Sequence, residues 1–70
     1  MSDAIFFAAE KELKNRSVVQ IHVTELGWHD VTAIDFLAGN RNLTRFKLVD
    51  NQFIVVLTRD LKAIRVPGGA

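Results

Sequence analysis

The sequence predicts an all-β domain: a small five-stranded, strongly bent barrel with an N-terminal α-helix. Three observations lead there. After Asn15 the apolar residues alternate with period two instead of recurring every three or four positions. Turn-forming residues cut that alternation into five short runs. Five strands in a chain of 70 residues most simply hide their edges by rolling the sheet onto itself.

The helix is expected over residues 3–15. Ile5, Ala9 and Leu13 recur at helical spacing and Phe6 joins their stripe. Ser2 or Asp3 is placed to cap the first turn. Lys11 and Lys14 favour the negative end of the helix dipole, and Glu10 and Lys14 are spaced for a surface pair. Phe7 lies off the stripe, either at the edge of the core or against a neighbour.

The first strand is expected over 18–24, with Val19, Ile21 and Val23 on one face and Gln20, His22 and Thr24 on the other. Glu25-Leu26-Gly27 forms the turn. The second strand, over 28–37, changes phase between Val31/Ala33 and Ile34/Phe36, which predicts a bulge or bend. Residues 38–42 form the clearest loop. The third strand covers 43–49, with Phe46 and Leu48 opposite Arg45 and Lys47. Asp50-Asn51 signals a tight hairpin. The fourth strand, Phe53 to Leu57, is apolar on both faces, so it is expected to be covered from outside by the helix or by another subunit. Thr58-Arg59-Asp60 turns the chain into a fifth strand over 61–66, and residues 68–70 form a flexible tail to a single domain over 1–67.

Composition narrows the function. A chain this short buries only roughly 60% of its unfolded surface. Below about 70–80 residues a lone core seldom supplies more than about 3–5 kcal/mol. Disulfides are excluded, because the chain has no cysteine. His22 and His29 are its only histidines and lack metal-ligand spacing, so no metal or other cofactor is expected. Self-association is the remaining supplement, and a hydrophobic content of 49% agrees with it. Ser2 and Ser17, the only serines, stand in no nucleophile setting, so an enzyme is not expected. His29 and Asp30 are neighbours on a strand and point to opposite faces, which argues against a dyad. Residues 1–13 carry charges unlike a signal peptide, and no apolar run reaches the roughly 18 residues of a membrane span. The expected location is cytoplasmic, with no membrane partner.

The net charge of +1 conceals an asymmetry. Residues 1–39 hold three bases and six acids, a net −3, whereas residues 40–70 hold six bases and two acids, a net +4. The second half can attract phosphate, although the same residues also make an ordinary solvated surface.

The segment from Phe6 through Lys14-Asn15-Arg16 to Ile21, and the segment from Asp50-Asn51 through Phe53-Ile54-Val55-Val56-Leu57-Thr58-Arg59-Asp60 to Pro67, together resemble the Sm-like (Lsm/Hfq-like) family. The first is similar to that family's helix, basic end and first strand. The second is similar to its second motif: an apolar strand, a short polar turn and another apolar strand ending near a proline. Gly27, Ile34-Asp35-Phe36 and Asn40-Arg41-Asn42-Leu43 loosely resemble its first motif. The family's usual turn, Arg-Gly or Lys-His, is Arg59-Asp60 here.

The resemblance implies the Sm-like fold and a homo-oligomeric ring whose pore binds single-stranded RNA. Asn40, Arg41, Asn42, Arg59 and Asp60 would then lie around the pore. Asparagine amides can read base edges, and arginine can stack on a base or grip a phosphate; Asn40 and Asp60 equally serve as plain turn formers. The resemblance also implies an oligomer interface through Phe53, Val55, Val56, Leu61 and Ile64. The alternative is a small oligomeric scaffold or adaptor that uses the same barrel for protein contacts without nucleic acid. Trp28 could offer a stacking platform or fill an interface or core position.

Overall fold

A computed structural model of the chain describes residues 3–67. A helix, α1 (Ala4–Leu13), precedes five strands: β1 (Val19–Val23), β2 (Gly27–Phe36), β3 (Leu43–Leu48), β4 (Phe53–Leu57) and β5 (Leu61–Arg65). All pairings are antiparallel and the strand order is β4-β3-β2-β1-β5. The expected tail over 68–70 lies outside the described residues.

The helix is shorter than the predicted 3–15, because Lys14 and Asn15 tighten onto the carbonyls of Lys11 and Glu12 at 3.2 and 3.0 Å. Asp3 does not cap it through its side chain; its carboxylate is held by Arg41 instead. Ser2, the other expected cap, lies outside the described residues. The surface pair also differs, since Glu12 bonds Arg16 at 3.1 Å. Phe6 and Ala9 are buried and Ile5 and Leu13 pack against the core, as the stripe predicts. The helix rests on β2, β5 and β1, not on β4.

The sheet curls because β2 serves two partners. Its first half pairs with β1, Ile21 opposite His29, and its second half with β3, Ile34 opposite Phe46. The register shifts between Val31 and Ala33, and Ala33 is exposed, so the faces exchange at Thr32, earlier than the expected change between Ala33 and Ile34. A bulge bends its strand and raises the local twist, so inward side chains from both halves meet. Val19, Ile21, Val23, Val31 and Phe46 join Phe6 in one core. A second register shift, between His22 and Val23 opposite β5, bends the other side.

Two turns depend on backbone that few residues tolerate. Gly27 opens β2 at φ +79°, where a side chain would be strained. Asn51 sits at φ +71° in the β3–β4 hairpin, and Asp50 Oδ1 accepts the Gln52 N–H at 3.1 Å.

The predicted closed barrel is not formed: β4 and β5 are the two unpaired edges of an open sheet. The connection explains both the curl and the opening. Thr58–Asp60 is a single 3-10 turn, and three residues reach at most about 11 Å, so the edges approach at this end. The turn's polar groups bond to other loops. The Thr58 N–H donates to the Asn42 carbonyl at 2.9 Å, and the Asp60 carbonyl accepts from the Thr24 N–H at 2.9 Å. These bonds tie the turn to the ends of β3 and β1, so no hairpin ladder starts between β4 and β5.

The core anchors set the stability. Phe6→Ala should lower the unfolding free energy by about 3–5 kcal/mol, as for other buried aromatics, which in a domain of this size removes most of the folded population. Glu10→Ala, on the exposed side of the same helix, should stay within about 0.5 kcal/mol. Urea denaturation followed by circular dichroism compares the two.

Candidate nucleic-acid interface

Two loops meet at the end of the sheet where the edges approach. In the first, Ala38 and Gly39 both take positive φ, +52° and +75°, which turns the chain sharply out of β2. The Asn42 N–H then donates to Asn40 Oδ1 at 2.9 Å, a local turn that fixes Asn40 as a backbone former. In the second, Thr58–Asp60 crosses between the sheet edges. The Thr58–Asn42 backbone bond joins the loops, and Asn42, Leu57 and Arg59 line one open cleft of about 360 Å³.

A buried hydroxyl pair holds this junction. Thr44 and Thr58 are 0% and 3% exposed, and their Oγ1 atoms lie 2.7 Å apart in a hydrogen bond. Both side chains are buried, and each hydroxyl has the other as its hydrogen-bond partner. The sequence alone does not bring these two hydroxyls together. The alternation of β3 already turns Thr44 inward with Phe46 and Leu48, which is the signal that could have found it.

The five residues expected at one RNA site divide. Asn42 and Arg59 share the cleft. Among the described residues, no ion pair holds Arg59, which is exposed. Asn40 serves its turn. Asp60 is half-buried, and its carbonyl also accepts from the Thr24 hydroxyl at 3.3 Å. Arg41 leaves the group: it pairs with Asp3 and lies over the rings of Phe7 and Phe36. The reason is tertiary, because the start of α1 packs beside this loop and offers a carboxylate and an aromatic surface together.

The expected interface residues divide as well. Leu61 is buried, Val56 and Ile64 pack against the chain's own core, and Phe53 and Val55 are 59% and 46% exposed. The helix does not cover β4, so the row Phe53, Val55, Leu57 stays open on the outer face. Beside it, Asp35 takes the Arg45 guanidinium with both oxygens, at 3.1 and 2.8 Å. First through that hydrogen bond and then through its charge, Asp35 raises the Arg45 pKa above the usual arginine range, so Arg45 stays cationic throughout the range in which a protein folds.

The outer face of β1, β2 and β5 carries an aromatic stack. The Trp28 ring has the Arg65 guanidinium 4.2 Å from its centroid and the His22 ring edge-on at 5.2 Å. Arg65 donates to Gln20 Oε1 at 2.8 Å, and Gln20 donates in turn to Asp30 at 2.9 Å. Trp28 is therefore on the surface rather than in the core. His29 turns the other way and donates to the Leu26 carbonyl at 3.0 Å, so it and Asp30 form no dyad. Among the described residues no three His, Cys, Asp or Glu side chains cluster to hold a metal, and no helix is long and apolar enough to cross a membrane. Comparison with protein-family models, with curated proteins and with solved structures finds no match.

The threonine pair supplies a test of the junction. Thr58→Val leaves the Thr44 hydroxyl buried without a partner and should cost about 1–3 kcal/mol. Replacing both threonines by valine should cost less than the single change, because no orphaned hydroxyl remains. A double-mutant cycle by chemical denaturation measures the coupling.

Proposed function

We propose that this chain is an Sm-like subunit that assembles head to tail into a homo-oligomeric ring and binds single-stranded RNA at its pore. The observation that carries the reading is the strand order β4-β3-β2-β1-β5, which leaves two unpaired five-residue edges on one small curled sheet. An exposed edge is a template for another strand. The β4 edge of one copy and the β5 edge of the next complete each other's hydrogen bonds, and a heterologous contact of this kind closes into a ring when its rotation permits.

The loop junction supports the RNA part. Asn42 and Arg59 stand together in one open cleft at the end of the sheet where both edges arrive. In a ring this end would be repeated around the axis. Each subunit then supplies one cation and one amide, weak alone and multiplied by repetition. Arginine meets phosphate or stacks on a base, and the Asn42 amide reads a base edge. The sequence resemblance to the Sm-like family points the same way.

A second reading, an oligomeric scaffold that makes protein contacts only, draws on the open apolar row Phe53, Val55, Leu57. The two readings share the assembly and differ at the cleft.

Light scattering at micromolar concentration should find an oligomer several times the 7.9 kDa chain mass. Val55→Lys places a charge at the centre of the exposed edge without entering the core, so it should yield a folded monomer. A folded monomer for the natural sequence would refute the ring. For RNA, a labelled oligouridylate should bind in a salt-dependent manner. Arg59→Ala should weaken binding strongly and flatten its salt dependence, whereas Asn42→Ala should relax base preference at similar salt dependence. Lys14→Ala, at the far end of the helix, is the charge control. Equal binding by all of these variants would refute the cleft as the RNA site, and no binding even at low salt would leave the scaffold reading.

A further inference from the structure

Arg41 is not free to meet a phosphate. Its Nε donates to Asp3 Oδ2 at 3.1 Å and its Nη2 contacts the same oxygen. The guanidinium carbon lies 5.6 Å from the Phe7 ring centroid and 5.8 Å from that of Phe36. Phe36 stacks on the buried Phe6 at 3.8 Å with the planes only 7° apart, and Phe7 meets Phe6 edge-on at 5.3 Å. The aromatic surface under Arg41 is therefore anchored in the core through α1. The ion pair itself is open to solvent, with Arg41 64% and Asp3 27% exposed. It joins residues 38 positions apart, from the first turn of the helix to the loop before β3.

A guanidinium offers one planar fork, and a carboxylate and a phosphate compete for it with the same geometry. An exposed pair of this kind is worth only about two- to fivefold in an equilibrium, weak enough for a polyanion to displace. The displaced carboxylate would remain beside the incoming phosphate and repel it. We propose that Asp3 is an internal phosphate competitor: its carboxylate occupies Arg41 in the free protein, and RNA gains Arg41 only by displacing it. The start of α1 thereby sets how tightly, and at what salt, the loop engages RNA. The proposal rests on the RNA reading above. The rings of Phe7 and Phe36 keep Arg41 in place after the exchange, so the guanidinium changes its anion without leaving its seat.

The test uses the full chain and a labelled oligouridylate at several salt concentrations. Asp3→Asn removes the charge and keeps a residue suited to the start of a helix. It should bind about two- to fivefold tighter at low salt, the range set by an exposed ion pair. Its log–log salt dependence should steepen by about 0.7 for each Arg41 that becomes a phosphate contact. The gain should vanish in the Arg41→Ala background. Glu10→Gln, which makes the same charge change on the exposed face of α1, should give less than half of it. Melting curves of Asp3→Asn and the natural chain establish that both are folded. If the natural chain binds and Asp3→Asn binds no tighter, Asp3 is a structural tether and the competition is overturned. A gain that persists without Arg41, or is matched by Glu10→Gln, reduces it to net charge and overturns it too. If no variant binds at low salt, the RNA reading fails, and the competition with it.

Discussion

Three residues carry the chain from one edge of the sheet to the other, and that span constrains nearly everything else. Thr58–Asp60 reaches only from the end of β4 to the start of β5, so the outermost strands of the sheet must approach at this end. The sheet can satisfy that only by curling, and the bulge in β2 supplies the bend. The turn is held by its amide on Asn42, its carbonyl on Thr24 and a buried threonine pair. With those bonds made elsewhere, β4 and β5 do not pair with each other. The same short connection therefore accounts for the shared core, the two open edges and the meeting of Asn42 with Arg59.

An open curled sheet leaves two kinds of unmet demand. The edges hold backbone donors and acceptors with no strand beside them, and the outer face of β4 holds a row of exposed apolar side chains. A chain of 70 residues has little surplus stability to carry these liabilities alone. The proposed assembly meets the first directly by adding a strand to each edge. Phe53, Val55 and Leu57 flank that added strand, and the part of the row it leaves open is where a scaffold function would make its contacts.

The basic half of the chain is less free than its net charge implies. Arg41 and Arg45 are paired with Asp3 and Asp35, and Arg65 is held by Gln20 and stacked on Trp28. Two of the acids of the first half thus neutralise cations of the second. A positive potential spread over residues 40–70 becomes a few local sites, among which Arg59 stands in a cleft with a polar neighbour. This sharpens the candidate site around Asn42 and Arg59, and it makes Arg41 a residue whose availability depends on the helix.

Local pattern determined the elements. Period-two alternation fixed which side chains of β1 and β3 face inward, the phase change in β2 marked its bulge, and Asp50-Asn51 marked the hairpin, because each depends on residues within a few positions of one another. The helix stripe likewise identified Phe6 and Ala9. Tertiary structure decided what depends on groups far apart in the chain. It placed α1 over β1, β2 and β5 rather than over the doubly apolar β4, kept the sheet open, and gave Asp3 to Arg41 instead of to the helix cap. Thr44 and Thr58 are 14 residues apart, and Asp3 and Arg41 are 38 apart. No local pattern encodes such partners, because which polar groups meet is set only once the sheet has curled around its core.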